Sequence, residues 1–147
     1  MFELLGIPPQ ALFGQLLLGL INGAFYAMLS LGLAVIFGML NVINFTHGAQ
    51  YMMGAFAAWL LLGIFGVPFW VSLVLAPLIV GAFGVVLEKL LLKRIYHLDH
   101  LYGFLLTFGL ALVIEGLFQW KWGSSGAPYE NPIPGGVNLG FMFMPYY

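Results

Sequence analysis

Not one charged residue stands between Ala11 and Leu40. A run of that length exceeds the roughly 20 residues a helix needs to cross a hydrocarbon layer once, so the segment must tilt, break or turn back. We place its span at about Leu12 to Ala34, with the remainder leading onward. The rest of the chain has the same character. Of its 147 residues 63% are apolar and only 6% are charged, against about a quarter charged in a typical soluble domain. Such a chain cannot coat itself with a water-soluble surface, and its solvent is the lipid bilayer. Four Lys+Arg against five Asp+Glu leave no basic stripe for nucleic acid. The absence of cysteine excludes a disulfide framework and thiolate metal sites, and the three histidines lack the paired spacing of a zinc helix. No metal ligand is assigned.

The long run ends in a polar island, Asn41-Val-Ile-Asn-Phe-Thr-His-Gly-Ala-Gln-Tyr-Met-Met-Gly54. Unpaired hydrogen-bonding groups at membrane depth cost several kcal/mol each by order of magnitude, so Asn41, Asn44, Thr46, His47 and Gln50 need partners. Two readings are compatible. Asn41, Asn44 and Thr46 can cap helix ends at a break, with His47 bonded to a freed carbonyl; alternatively, these side chains line a water-accessible seam that binds a solute loosely. The break, or a re-entrant stretch, is expected near Asn41 to Gly48.

Beyond the island, Ala49 to Ile64 is short for a span, and Gly63, Gly66 and Pro68 mark a turn. The next run starts at Phe69-Trp70 and continues to Leu87, closing in Glu88-Lys89-Leu-Leu-Leu-Lys93-Arg94. Three of the four basic residues fall there. Basic residues near span ends are retained on the cytoplasmic side, so Lys89, Lys93 and Arg94 orient the chain and Lys89 to His100 is read as a cytoplasmic loop. Glu88 reads as its solvated edge, with Lys93 as a partner. Leu101 to Trp120 then leads outward and finishes in Trp120 and Trp122, aromatics suited to headgroup depth. Counting back puts the N-terminus outside, unless Gly32 to Asn44 is itself a crossing. Residues 123–147, rich in Gly and Pro, read as an extracytoplasmic loop. The expected fold is an all-α, polytopic bundle of about four membrane helices over residues 1–122, with no soluble domain.

Two small-residue pairs, Gly19/Gly23 and Gly54/Ala58, would let helices approach closely. Glu115 lies five residues before Trp120, hence about 7 to 8 Å from the outer interface. A carboxylate at that depth is either a pathway residue or a partly hydrated group facing another helix. No phosphate loop of the Gly-x-x-x-x-Gly-Lys-Ser/Thr kind occurs, and the only aspartate, Asp99, sits in the basic loop. No catalytic residue is assigned, and the chain is not read as an enzyme.

The island, with Tyr51-Met-Met-Gly-Ala55 after it, resembles the Ile-Asn-Phe-Ala-His-Gly…Tyr-Met-Leu-Gly-Ala signature of the branched-chain amino acid ABC transporter permeases. Three further matches follow in order. Gly23-Ala-Phe-Tyr-Ala-Met28 with Leu31-Gly-Leu33 and Ile36-Phe-Gly38 resembles the family's first helix; Glu88-Lys-Leu-Leu-Leu-Lys-Arg94 its Glu-Arg-rich loop; and Thr107-Phe-Gly-Leu110 with Ile114-Glu-Gly-Leu117 the helix after it. Ala49 stands where the family often has an acidic residue.

The resemblance implies a permease subunit of a bacterial inner-membrane importer for branched-chain or related amino acids. Its partners would be a second homologous permease, two cytoplasmic ATPases that hold ATP and Mg, and a periplasmic solute-binding protein. The chain itself would hold no cofactor. Asn41, Asn44, Thr46, His47, Gln50 and Glu115 are the pathway candidates. Family members are longer, and the part that docks on the ATPase has no counterpart in these residues, so the chain is expected to be the N-terminal portion. The alternatives are a permease of the same superfamily for urea, short amides or sugars, or a small self-associating channel or accessory protein.

Overall fold

A computed structural model describes residues 8–40 and 44–146. Four helices, α1 (Pro9–Leu40), α2 (Thr46–Phe65), α3 (Phe69–Leu90) and α4 (His100–Trp122), are each long and apolar enough to cross a membrane. Among the described residues a 3-10 turn, Leu92–Arg94, follows α3, and two short strands, β1 (Gly136–Asn138) and β2 (Phe143–Pro145), come after α4. The protein is therefore the expected multi-pass membrane helix protein.

Helix α1 opens at Pro9, whose missing N–H costs nothing at a first helical position. With no charge, proline or turn signal inside it, the helix runs past Ala34 to Leu40, so Gly32 onward is part of α1 and not a separate crossing. The expected short span Ala49 to Ile64 also lengthens. Helix α2 already begins at Thr46, within the island, and its 20 residues suffice for a crossing. It stops at Gly66, in the left-handed conformation (φ 63°), whose N–H bonds to the carbonyls of Leu61 and Leu62. Gly63 is thus inside the helix and not in the turn. Pro68, extended at ψ 154°, then starts α3.

The chain divides into two compact units, residues 31–129 and residues 1–30 with 130–147. In the first, α2 packs along both α3 and α4. Its buried positions are almost all small: Thr46 and Ala49 on α2, Ser72 and Ala76 on α3, Thr107 and Ala111 on α4, with Ile114 and Leu61 the exceptions. Between helices in lipid there is little hydrophobic driving force, and close backbone approach through small side chains supplies dispersion contacts instead. The buried hydroxyls bond back along their own chain segments, Ser72 Oγ to the Pro68 carbonyl at 3.3 Å and Thr107 Oγ1 to the Gly103 carbonyl at 2.9 Å. Aromatic groups brace α2 against α4, with Phe56 4.9 Å from Phe118 and 5.4 Å from Trp122 between ring centres.

In the second unit β1 and β2 form an antiparallel ribbon with Val137 opposite Met144. Asn138 Oδ1 accepts from the Gly140 N–H at 3.0 Å, and Gly140 takes φ 82° to make the turn. Gly136 is required here, because a Cβ on it would stand 2.4 Å from the Met144 carbonyl oxygen. Phe141 meets Phe13 of α1 at 5.9 Å. The segment expected to be only a loop thus carries a hairpin, held by pairs too short to leave an alternating pattern.

Candidate functional site

The polar island is built around the start of α2. Asn44 Oδ1 accepts from the Thr46 N–H at 3.0 Å and also from the Thr46 hydroxyl, and the Asn44 carbonyl accepts from the His47 N–H at 3.3 Å. This is an Asx turn. The side chain holds donors that helix geometry leaves unpaired, which fixes where α2 begins. The break expected near Asn41 to Gly48 therefore ends before Thr46, and Thr46, His47 and Gln50 are helical. Asn41 lies outside the described residues.

From this start the side chains part. A Cβ on Gly32 would lie 3.0 Å from His47 Cε1, so the imidazole tip lies close over the α1 backbone, where a larger residue would make it shift. Gln50 reaches toward α3, its Nε2 3.6 Å from where a Cβ on Gly84 would stand. Thr46 is buried.

Within this unit a cavity of about 190 Å³ is bordered by Asn44, Thr46 and Gln50 together with Glu88, Tyr96 and Thr107. Ile36, Leu87, Leu92 and Leu110 supply its aliphatic wall. That volume matches roughly six waters at liquid density. The structure so brings together three of the six pathway candidates. His47 is not among the lining residues, and Glu115 is exposed on α4, one residue beyond the buried Ile114.

Three lining residues were not foreseen. Glu88 is half-exposed, as a solvated edge would be; in place of the expected Lys93 partner its Oε1 accepts from Tyr96 Oη at 3.3 Å, and it makes no ion pair among the described residues. The physical reason is the spacing: Lys93 lies five positions after Glu88, beyond the three or four that bring helical side chains together, and α3 ends between them at Leu90. Tyr96 is half-exposed; partial desolvation of its phenol, then the charge and hydrogen bond of Glu88, hold it above its ordinary pKa. Thr107 is fully buried and belongs to the Thr107-Phe-Gly-Leu110 motif, a signal visible in the sequence but used there only for resemblance.

Asp99, assigned no role beforehand, caps α4 by accepting from the Leu101 N–H at 2.9 Å. Lys89, Lys93 and Arg94 are exposed. No atom comes within 4 Å of a Cβ built on Gly19, Gly23 or Gly54, so among the described residues these positions make no close helix contact. Ala58 is half-buried.

Residues 15–145 match the family described as "Branched-chain amino acid transport system / permease component". The chain belongs to this family. Among curated relatives it is similar to the high-affinity branched-chain amino acid transport system permease protein BraD of Pseudomonas aeruginosa, 25% identical over 134 residues, covering 86% of this chain and 44% of the relative. It is also similar to the permease protein LivH of Escherichia coli strain K12 and of Salmonella typhimurium, each 23% identical over 118 residues, covering 75% of this chain and 38% of the relative. The chain thus spans less than half the length of these relatives. No solved structure matches.

Proposed function

We propose that the protein acts as a permease subunit of an ATP-driven importer for branched-chain or related aliphatic amino acids, contributing helices to the translocation pathway. The observation that carries this reading is the family match over residues 15–145, joined to a largely apolar cavity at the start of α2 whose wall carries the side chains of Asn44, Thr46, Gln50 and Glu88. In lipid, a cluster of amides, hydroxyls and a carboxylate around open space is costly unless water or solute uses it. The energy would come from two ATPase subunits holding ATP and Mg on the cytoplasmic face, beside a second permease subunit. A periplasmic binding protein would deliver solute. Lys89, Lys93 and Arg94 would lie in the cytoplasm of a bacterial inner membrane, by the retention of basic residues on that side.

Deleting the gene in its own cell and following uptake of labelled leucine, isoleucine and valine tests the reading. Loss of uptake of all three, with urea, acetamide and ribose uptake unchanged, is the expected result. Undiminished uptake of the three amino acids, or loss of urea or amide uptake in their place, would overturn it.

A further inference from the structure

The hydrogen-bond inventory of the cavity is lopsided. Tyr96 Oη donates to Glu88 Oε1, Thr46 Oγ1 donates to Asn44 Oδ1, and Thr107 Oγ1 donates to the Gly103 carbonyl. A hydroxyl has a single proton to give, so all three are engaged within the protein. What remains of the polar lining is the acceptor capacity of these hydroxyl oxygens, a carboxylate oxygen, Glu88 Oε2, with no hydrogen bond among the described residues, and the amide groups of Asn44 and Gln50. Among the described residues no Lys, Arg or His lines the space beside Glu88.

A half-exposed carboxylate bordering a small open cavity, with no described basic residue beside it, suits a donor-rich cation. A bare metal ion is poorly served, since it gathers several oxygen ligands at one point and this lining offers one carboxylate. A sugar presents hydroxyls and has no charge to meet. A primary ammonium brings one positive charge and three donors, and charge-assisted bonds of that kind are the strong ones. The remaining donors, the amide groups of Asn44 and Gln50, suit a carboxylate, and Ile36, Leu87, Leu92 and Leu110 suit a branched aliphatic chain.

Resting on the reading that the protein passes amino acids, we propose that this cavity holds an aliphatic α-amino acid in its zwitterionic form, with Glu88 recognising the ammonium group. Glu88 is then the residue that makes the cavity select amines, while Asn44 and Gln50 receive the other end.

The test is binding to the full protein in lipid nanodiscs, read by saturation-transfer NMR with leucine, 3-methylbutylamine, which lacks the carboxylate, and 4-methylpentanoate, which lacks the ammonium. Leucine and the amine are expected to compete for one site, and 4-methylpentanoate to bind about tenfold more weakly or worse. Glu88→Gln should weaken leucine and the amine by a similar factor and leave 4-methylpentanoate unchanged. Equal binding of the amine and the carboxylate, no binding of any of the three, or amine binding indifferent to Glu88→Gln would overturn the proposal. If the variant does not accumulate, the ranking of the three ligands on the unaltered protein decides alone. Loss of leucine uptake on gene deletion, with no preference for the amine in the cavity, would sink this inference and leave the proposed function standing.

Discussion

Replacing Asn44 with alanine removes the oxygen that receives both the Thr46 N–H and the Thr46 hydroxyl. Loss of a cap of this kind costs about 1 kcal/mol, so thermal unfolding in detergent should show a lower midpoint for Asn44→Ala, with Asn44→Asp recovering most of the difference. Tyr96 permits a titration. Its half-exposed phenol is held above the ordinary value of 10.0, first by partial desolvation and then by Glu88. Because the folded value is the higher one, the contribution is complete below the unfolded pKa and fades as pH rises through the folded value. The phenolate absorbance missing from Tyr96→Phe should therefore appear at higher pH than in free tyrosine. Glu88→Gln should move it only partway back, since the partial desolvation persists. The chemistry of these residues was only partly legible in the sequence. Asn44, Thr46 and Gln50 announce themselves as polar groups in an apolar chain, whereas Glu88 and Tyr96 lie eight positions apart and meet only because α3 gives way to a 3-10 turn.

At the level of helices, existence and order could be read from apolar runs, and boundaries could not. Hydropathy places Phe69 to Leu87 close to the observed α3 because Pro68 and the Glu88-Lys89 pair bound it. It shortens α2 because Thr46 and His47 look like loop residues, yet a helix satisfies their backbone wherever the side chains find a cavity or a glycine. The hairpin of β1 and β2, of three residues each, was beyond such reading. The contact between α2 and α4 through Ala49 and Ala111 has little room for larger groups. Ala111→Leu should destabilise by about 1 to 3 kcal/mol through overpacking, measurable as a lower unfolding midpoint in detergent. Gly32→Val should do likewise, because its side chain would push on His47; a midpoint equal to that of the unaltered protein would show that the imidazole simply swings aside.

For the molecule as a whole, the absence of cysteine makes orientation directly measurable. A single cysteine at His97, between the 3-10 turn and α4, should react with a membrane-impermeant maleimide only after cells are opened. One at Ser125, after α4, should react in intact cells. The reverse pattern would refute the orientation drawn from Lys89, Lys93 and Arg94.

The seam of alanine, serine and threonine has a consequence for how such a chain tolerates change. Ordinary protein cores are damaged most by trimming side chains; this one is damaged most by enlarging them, since its centre is already near the smallest size available. A saturation-mutagenesis map should accordingly show narrow intolerant stripes through Thr46–Ala49, Ser72–Ala76 and Thr107–Ala111, flanked by outward leucines and valines that exchange freely with one another.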